Sequence, residues 1–318
     1  MRIDESRALT IQSPGMLTTV QDAGRFGWMA SGFSPSGAMD LAAMRRANLL
    51  VGNSMDMAVL EMTMTGVTAT FGCDCVIALT GADMAASCYG QLPRYRAVAV
   101  RAGDTLICGS AKAGVRSYLA VAGGFALEPA MGSCSTSLKF GLGGYEGRKL
   151  RAGDTLPLRC PELPVPRLEE RVLPAPLWPG DATQVCLRAV LGPQDAHFTQ
   201  EGIATFLGGW YTVTPASDRM GIKLEGNRIE AVHGYDIISD GIAPGSVQVP
   251  ASGQPIVMMA DCQTTGGYAK IATVISVDLP LLAQARPGDR VCFAAVTIQA
   301  AQKAARAEAA ALHRLEKL

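Results

Sequence analysis

The sequence predicts a mainly β fold with a few helices, and three observations support this prediction. Short apolar runs rich in valine, threonine and isoleucine alternate with tight turns along the 318 residues, which include 35 glycines. Helical periodicity is clear in two segments only. A proline-rich segment interrupts the chain near its middle, where a packed strand or helix would not tolerate it.

Five apolar runs bounded by turn residues predict most of the strands. They are CVIALTGA (75–82), RSYLAVAGGF (116–125), ATQVCLRAVLG (182–192), SVQVPASGQPIVMMAD (246–261) and YAKIATVISVD (268–278). The segment 39–52, MDLAAMRRANLLVG, has apolar residues at helical spacing and ends in glycine, which predicts a helix with a defined stop. The alanine-rich tail 300–318 predicts a second helix.

The segment 160–180, CPELPVPRLEERVLPAPLWPG, carries six prolines and predicts a linker or strap between domains. We therefore expect an N-terminal β domain over 1–160 and a linker over 161–180. A second β domain is expected over 181–298, followed by a helical tail over 299–318.

A short motif occurs three times. RAGDTL is found at 101–106 and again at 151–156, and RPGDRV at 286–291 is a variant of it. Each copy places a Gly-Asp turn ahead of an apolar stretch. The motif is either a common strand-entry turn or the sign that each half is a β-barrel whose strands begin alike, and three copies favour the second interpretation.

Charge and hydropathy exclude several classes of partner. The chain has 28 basic and 28 acidic residues and a formal net charge of zero, which argues against nucleic acid or an anionic membrane as the main partner. No apolar run reaches the roughly 20 residues of a membrane helix. The N-terminal MRIDESRALT has no apolar signal core, so we expect a cytoplasmic protein.

Metal and cofactor motifs do not appear in the sequence. The nine cysteines include no C-x-x-C pair, and Cys73 and Cys75, which could share a metal, have no further ligand nearby. We interpret the cysteines as reduced, buried thiols and expect no metal site. The sequence has no GxxxxGK[ST] phosphate loop. None of the seven lysines is flanked by methionines, so we expect no covalently attached biotin.

The first polar cluster lies in SPGMLTTVQDAGRFG (13–27), where Gln21, Asp22 and Arg25 fall within one glycine-containing turn. Two interpretations stay open. Asp22 and Arg25 pair locally, or the arginine fork binds a carboxylate or phosphate. Gln21, Asp22 and Arg25 are candidate substrate-binding residues.

Two further polar clusters lie in the second half. Asp218 and Arg219 precede a strand in PASDRMGIKLEG (215–226), as a solvated turn or as part of a site. Gln248 lies between valines of a predicted strand, and Gln254 follows a glycine turn. A glutamine on an apolar strand is either half-buried and satisfied or lines a pocket.

The segment 259–276, MADCQTTGGYAKIATVIS, places polar groups between two predicted buried strands. Asp261 and Gln263 lie two residues apart, as do Tyr268 and Lys270, so each pair faces one side. Between these pairs we predict a turn that binds an anion through hydroxyls and N–H groups. Its residues are Thr264, Thr265, Gly266 and Gly267. We favour a ligand pocket over an exposed hairpin tip, because the flanking strands are strongly apolar.

Several blocks of the chain together resemble one known family. They include SPGMLTTVQDAGRFGW, SPSGAMDLAAMRRANLLVGN, AVLEMTMTG, ALTGADM, SDRMGIKLEG and the long block PGSVQVPASGQPIVMMADCQTTGGYAKIATVISVDLPLLAQARPGDRV. In order, they resemble the carboxyltransferase-domain family, also called allophanate hydrolase subunit 2 or urea amidolyase-related. The similarity covers nearly all of residues 9–295 and is strongest to the C subunits of bacterial ATP-dependent 5-oxoprolinases.

The resemblance implies two cyclophilin-like β-barrel domains and a hetero-oligomer. The partners that it implies are a sister carboxyltransferase-like B subunit, and a third component, the A subunit. It implies hydrolysis of the lactam of 5-oxoproline to glutamate, with ATP bound by this chain or by a partner. Carboxyl transfer to a urea- or amide-like substrate with a separate biotin carrier is the first alternative. A Kip-type regulator that binds a kinase inhibitor is the second.

For lactam hydrolysis we assign roles from residue chemistry within these blocks. The chemistry needs an anion-binding turn, a carboxylate that deprotonates water, and a cation near phosphate. The turn is assigned to Thr264–Gly267, and the base to Asp261 or Asp218. Candidates for the cation are Arg219, Lys270 and Arg25.

Overall fold

The computed structural model describes residues 5–159, 168, 171–175 and 184–316, and these form two compact units. The first unit comprises Met1–Arg25, Ser36–Gly180 and Leu312–Leu318, and the second Phe26–Pro35 and Asp181–Ala311. The predicted linker 161–180 lies mostly outside the described residues. Of its described part, Leu173 N–H donates to the carbonyl of Tyr95 at 2.9 Å and the Arg171 carbonyl accepts from Ala97 N–H, so this piece is strapped to the first unit.

The first unit contains nine strands and one helix among its described residues. They are β1 (Ala8–Ser13), β2 (Leu17–Gln21), α1 (Leu41–Leu50), β3 (Val59–Thr63), β4 (Thr68–Phe71), β5 (Cys75–Asp83), β6 (Ala97–Val100), β7 (Thr105–Ile107), β8 (Ala113–Val121) and β9 (Thr155–Pro157).

These strands form two stacked sheets, with strand orders β7-β4-β1-β9 and β2-β3-β8-β5-β6. Leu9 and Phe71 from the four-stranded sheet share a core with Leu60 and Leu119 from the five-stranded sheet. The opposite face of the five-stranded sheet packs against α1, through Met44 among others. The central strands β5 and β8 are buried on both faces, which explains why their sequences are continuous apolar runs.

The second unit contains nine strands and two α-helices among its described residues, and a third α-helix, Ile298–Glu316, begins in it and ends among the residues of the first unit. They are β10 (Gln184–Leu191), α2 (Gln200–Gly208), β11 (Tyr211–Val213), β12 (Gly221–Glu225), β13 (Asp236–Gly241), β14 (Ser246–Gln248), β15 (Ile256–Met258), β16 (Thr265–Tyr268), β17 (Lys270–Val274), α3 (Leu279–Ala283), β18 (Arg290–Ala295) and α4 (Ile298–Glu316).

Seven of these strands close into a barrel in the order β10-β17-β14-β15-β12-β11-β18. The barrel is closed by parallel pairing of β10 with β18, and β13 and β16 form a separate two-stranded sheet beside it. The mainly β prediction is confirmed, as are both predicted helices, which appear as α1 and α4. No helix within the described ranges is both long enough and apolar enough to cross a membrane.

The repeated Gly-Asp motif adopts the same turn in all three copies. The carboxylates of Asp104, Asp154 and Asp289 each accept the backbone N–H three residues earlier, at 2.9, 2.7 and 2.7 Å. Each preceding glycine has φ between +88° and +96°, which glycine alone adopts without strain. The turn leads into β7, β9 and β18 respectively, so one sequence motif begins a strand in both units.

Candidate functional site

The carboxylate of Asp22, in the first unit, accepts hydrogen bonds from nearby backbone N–H groups and serine hydroxyls. Its carboxylate accepts hydrogen bonds from Gly24 N–H at 2.8 Å and from Cys134 N–H at 2.6 Å. The hydroxyl of Ser133 donates to it at 2.7 Å, and that of Ser135 donates to it as well. These bonds fasten the turn after β2 to the segment 133–135 and occupy both carboxylate oxygens.

Arg25 also joins the turn after β2 to the loop 130–136 by hydrogen bonds. Its side chain is almost fully buried, and Nε and Nη2 donate to the carbonyls of Ala130 and Ser135 at 3.0 and 2.9 Å. The fork therefore binds backbone oxygens, a third arrangement beside the local ion pair and the anion grip considered above. Together Asp22 and Arg25 organise the loop 130–136 around the end of β2.

The side chain of Gln21, at the end of β2, is only partly satisfied by the described residues. Its Nε2 donates to Thr19 Oγ1 at 3.0 Å and to the carbonyl of Thr136 at 3.1 Å. Its Oε1 is buried and has no hydrogen-bond partner among the described residues. An unsatisfied buried acceptor costs about 1–3 kcal/mol, so this oxygen favours a donor from a ligand.

Arg219 and Asp261 form the first charged pair of the second unit. Arg219 Nε donates to Asp261 Oδ2 at 2.8 Å and Nη2 to Oδ1 at 3.3 Å, with side-chain exposures of 6% and 15%. The two meet because β12 and β15 pair with Gly221 opposite Met258, so Arg219, two residues before β12, lies beside the turn after β15. The backbone N–H of Asp261 also donates to the carbonyl of Arg219 at 2.9 Å.

Asp218 belongs to the turn that begins β12. Its Oδ1 accepts from the N–H groups of Met220 and Gly221 at 2.8 and 3.2 Å. An aspartate that bonds the backbone two residues on stabilises the turn itself. This geometry favours a structural role and makes Asp261 the better candidate of the two proposed bases.

Lys270 and Asp240 form the second charged pair. Lys270 Nζ donates to Asp240 Oδ2 at 2.7 Å and to the carbonyl of Gly241 at 2.9 Å. The lysine side chain is 2% exposed, whereas that of Asp240 is 53% exposed. Gln194, which follows β10, donates to the same carboxylate at 3.2 Å and accepts the N–H of Lys270 at 3.1 Å.

The predicted turn over Thr264–Gly267 is wrong, because Thr265–Tyr268 form strand β16. Thr265 lies opposite Gly241 and Gly266 opposite Asp240 in an antiparallel pairing with β13. Successive N–H groups of a strand point in opposite directions, so they do not converge on one anion as they would in a turn. The pairing instead places the carboxylate-bearing Asp240 directly across from Gly266.

Gly266 allows two glutamine amides to approach the β16 backbone. A Cβ at this position would lie 2.9 Å from Gln248 Nε2 and 3.4 Å from Gln263 Nε2. Gln248 is buried on β14, and its Nε2 lies 3.4 Å from the Tyr268 carbonyl, to which it donates. The two amide donors therefore lie beside strand β16, which itself contributes Gly266 and the half-exposed ring of Tyr268.

Gln254, the remaining predicted site residue, joins two surface turns. Its Oε1 accepts from Gly226 N–H at 2.7 Å, and its Nε2 donates to the carbonyl of the same residue at 3.1 Å. Both the oxygen and the nitrogen of its amide are hydrogen-bonded to Gly226, which favours a structural role for Gln254. The polar segment 261–270, with Arg219, Asp240, Gln194 and Gln248, is the candidate site of the second unit.

The sequence analysis missed a buried polar network in the first unit. Glu61 on β3 lies opposite Tyr118 on β8, and the phenol donates to Glu61 Oε2 at 2.9 Å. Glu61 Oε2 also accepts Met39 N–H, and Tyr118 accepts Asp40 N–H, each at 2.8 Å. Burial, followed by the charges of Glu61 and Asp40, raises the pKa of Tyr118 well above its ordinary value. The glutamate inside the apolar run VLEMT was the signal for it.

Comparison with known proteins identifies the family of this chain. Residues 31–295 match the model described as "Carboxyltransferase domain, subdomain A and B". The chain belongs to this family. It is 41% identical over 303 residues to the 5-oxoprolinase C subunit of Escherichia coli, covering 93% of this chain and 94% of that protein. It is 40% identical to the 5-oxoprolinase C subunit of Haemophilus influenzae, covering 90% of each.

The fold of the family is also seen in a larger enzyme. The crystal structure of the K. lactis urea amidolyase superposes with a TM-score of 0.87 at 27% identity, over 97% of this chain. This chain spans a fifth (20%) of that urea amidolyase. The likeness confirms the fold expected of a carboxyltransferase domain for nearly the whole sequence.

The polar segment 261–270 combines groups suited to an amide and a phosphate. Gln248 and Gln263 supply amide donors, while Asp261 supplies a carboxylate that Arg219 orients. Lys270 supplies an ammonium whose counter-charge, Asp240, lies largely in solvent. Without a ligand, the two cationic side chains are balanced by two carboxylates. An anion that displaces the exposed carboxylate of Asp240 leaves no buried charge unpaired.

Proposed function

We propose that this chain is the C subunit of an ATP-dependent 5-oxoprolinase, which hydrolyses the lactam of 5-oxoproline to glutamate. The observation that carries the proposal is the 41% identity to the E. coli protein of that name, over 94% of its length. The shared length is important, because the likeness extends over the whole relative rather than one segment of it.

The reaction requires an activated lactam. The γ-phosphoryl group of ATP passes to the lactam oxygen, and ADP leaves. Water then adds to the former carbonyl carbon, the ring C–N bond breaks as the nitrogen takes a proton, and a second water releases the acyl-bound phosphate. Glutamate, ADP and phosphate are the products. Each step needs charge neutralised near phosphate, and the two steps in which water attacks also need a base beside that water.

Lys270 is our candidate for the cation near the phosphate. Its ammonium is buried, so its interaction with an anion is screened less than on the surface. The carboxylate that neutralises it is held by an exposed side chain, which can rotate into water when phosphate arrives. The carbonyl of Gly241 and the fixed position on β17 would keep the ammonium in place during that exchange.

Asp261 is our candidate for the base. Its two hydrogen bonds to Arg219 fix the direction of the carboxylate, and a small exposed fraction leaves room for a water molecule. The amide of Gln263, two residues on, borders Gly266 and is a candidate donor to the substrate. Arg25 lies in the first unit, where its hydrogen bonds go to the loop 130–136, so we do not assign it a phosphate contact.

The complete enzyme that we propose is a cytoplasmic hetero-oligomer. The two bacterial relatives are named as subunits, which supports a complex, and we assign its other members as the A and B subunits. ATP is bound by this chain or shared with one of these partners. No covalent biotin is required for this chemistry.

The test is glutamate release from 5-oxoproline and ATP, measured with this chain alone, with only the A and B subunits, and with all three proteins. We expect activity only in the full mixture, with one ADP formed per glutamate. Omitting ATP is the control for spontaneous ring opening. Glutamate formation at an unchanged rate in the mixture that lacks this chain would overturn the proposal.

Carboxyl transfer to a urea-like substrate is the second candidate, favoured by the fold shared with the K. lactis urea amidolyase. The same amide donors would bind a planar urea. The two candidates separate cleanly in one assay, because carboxyl transfer depends on a carboxybiotin carrier and is blocked by avidin. Glutamate release from 5-oxoproline should be insensitive to avidin.

A further inference from the structure

The parallel pairing that closes the barrel brings two cysteines side by side. Strands β10 and β18 run in register from Gln184 opposite Arg290 to Ala189 opposite Ala295, with Cys186 directly opposite Cys292. Of the strand pairings in the described part of the chain, this is the one that sets two cysteines opposite each other. We name Cys186 and Cys292 the seam dithiol.

Both thiols point away from the barrel interior. On β10, Val185 and Leu187 are buried while Cys186 between them is exposed. On β18, Val291 and Phe293 are buried and Cys292 is partly buried. Because side chains alternate along a strand, the two sulfurs lie on the same outer face. The expectation that the cysteines are buried is therefore wrong for Cys186.

The spacing of the two residues suits a covalent bond. Paired strands lie about 4.7–4.9 Å apart, inside the Cα separation of about 4.4–6.8 Å that disulfides span. In-register pairing on one outer face places the two side chains next to each other. Burial, followed by the neighbouring Cys186 side chain, raises the pKa of Cys292 to about 12. Cys186 is the exposed member of the pair, so a peroxide from solvent reaches its sulfur first.

We propose that the seam dithiol is a reversible oxidation site, at which a peroxide converts Cys186 and Cys292 into a disulfide. The Cys186 sulfur attacks a peroxide oxygen, forming a sulfenic acid and releasing one water. The Cys292 sulfur then displaces the hydroxyl group as a second water, and the S–S bond forms. Two thiol hydrogens and two electrons thus pass to one hydrogen peroxide, and a dithiol reductant reverses the change by exchange.

The position of the bond gives it a physical consequence. It would link the first and last strands of the barrel and close a loop over residues 186–292, which is most of the second unit. A cross-link over so long a loop restricts the unfolded chain strongly. The oxidised protein should therefore resist unfolding more than the reduced protein, with no change in the outer shape of the barrel.

The experiment uses the full chain, reduced and then treated with hydrogen peroxide at a few equivalents. Remaining thiols are blocked with N-ethylmaleimide, and the non-reduced digest is analysed by mass spectrometry. We expect a peptide pair joined through Cys186 and Cys292, a loss of two titratable thiols, and recovery of both after dithiothreitol. The unfolding midpoint should rise by at least about 5 °C in the oxidised protein.

Three variants make the result decisive. Cys186→Ser and Cys292→Ser should each lose the linked peptide and the rise in midpoint, whereas Cys88→Ser, which removes another partly buried thiol, should keep both. Irreversible oxidation of Cys186 without linkage in the wild-type digest would overturn the proposal. So would a peptide in which Cys186 is linked to a cysteine of a second chain, because it would show that Cys292 is not the resolving thiol.

Discussion

Two clusters of charged residues, one in each unit, are satisfied in different ways. In the first unit, Asp22 and Arg25 bind backbone and hydroxyl groups of the segment 130–135, and both are nearly inaccessible to solvent. In the second unit, the carboxylates of Asp240 and Asp261 each bind a cationic side chain instead. One partner of each pair retains contact with water, and Asp240 is largely exposed.

This contrast separates charges that hold a loop from charges that can change partner. A carboxylate that satisfies several N–H and hydroxyl donors cannot leave without stranding them, which costs stability. An exposed carboxylate paired with a buried ammonium can be replaced by another anion at little cost, because water solvates it when it leaves. We therefore expect substitutions in the first cluster to affect folding and substitutions in the second to affect activity.

The largest expected effect is on stability, in Asp22→Ala. The change removes the acceptor of two backbone N–H groups and of two serine hydroxyls, and hydrogen bonds to charged groups contribute about 1.5–3 kcal/mol each. Since the hydroxyls can turn to other acceptors, we expect a total loss of about 4 kcal/mol in the free energy of unfolding, measured by urea titration.

Asp56→Ala is the matched control for Asp22→Ala. Asp56 also belongs to the first unit, but its pair with Arg45 at 3.0 Å is exposed and should contribute less than about 1 kcal/mol. A normally stable Asp22→Ala protein that has lost glutamate release would reverse the assignment. The first cluster would then belong to the substrate site.

The next effect is on activity, in Lys270→Met. Removing the proposed phosphate-neutralising cation should lower glutamate release by the assembled complex about 100-fold or more. The free energy of unfolding should change by less than about 1.5 kcal/mol, because methionine fills the buried stem and Asp240 remains solvated. Lys223→Met, at an exposed lysine on β12, is the control and should leave both quantities unchanged.

One result for Lys270→Met would contradict this prediction. If the variant lost about as much stability as is predicted for Asp22→Ala, and lost activity only as far as folded protein is lost, Lys270 would belong to the residues that stabilise the fold. Both units would then use their buried charges in the same way.

Sequence alone predicted the elements whose signal is local. The Gly-Asp motif identified three turns correctly, because a glycine at positive φ and an aspartate three residues after its donor N–H form a complete unit within four residues. The helix over Leu41–Leu50 was predicted for the same reason, and Asp40 supplies its N-terminal cap through Ala43 N–H at 2.8 Å.

What the sequence did not predict depends on contacts between distant residues. The threonine and two glycines of β16 have the composition of a turn, and only pairing with β13 makes them part of a strand. Lys270 was predicted to be a site residue, but Asp240 was not, because thirty residues separate them in the chain. Glu61 and Tyr118 are further apart still and meet only when β3 and β8 pair.

The smallest expected effect is the acid dependence of stability that the Lys270–Asp240 pair adds. The hydrogen bond from Lys270, then that from Gly241 N–H, lowers the pKa of Asp240 below its ordinary value. A lowered pKa in the folded state contributes stability above the unfolded value of about 3.9, and this contribution is lost as pH falls through the folded value. The urea midpoint of the wild type should therefore exceed that of Asp240→Asn at pH 5–7, and the difference should shrink below about pH 4.

Lys270→Met is a second test of the same pair. Its urea midpoint should depend on acid pH as weakly as that of Asp240→Asn, because the substitution removes the donor that lowers the pKa of Asp240. If the difference in urea midpoint between wild type and Asp240→Asn persisted unchanged to pH 2, the ion pair with Lys270 would not be what lowers the pKa of Asp240.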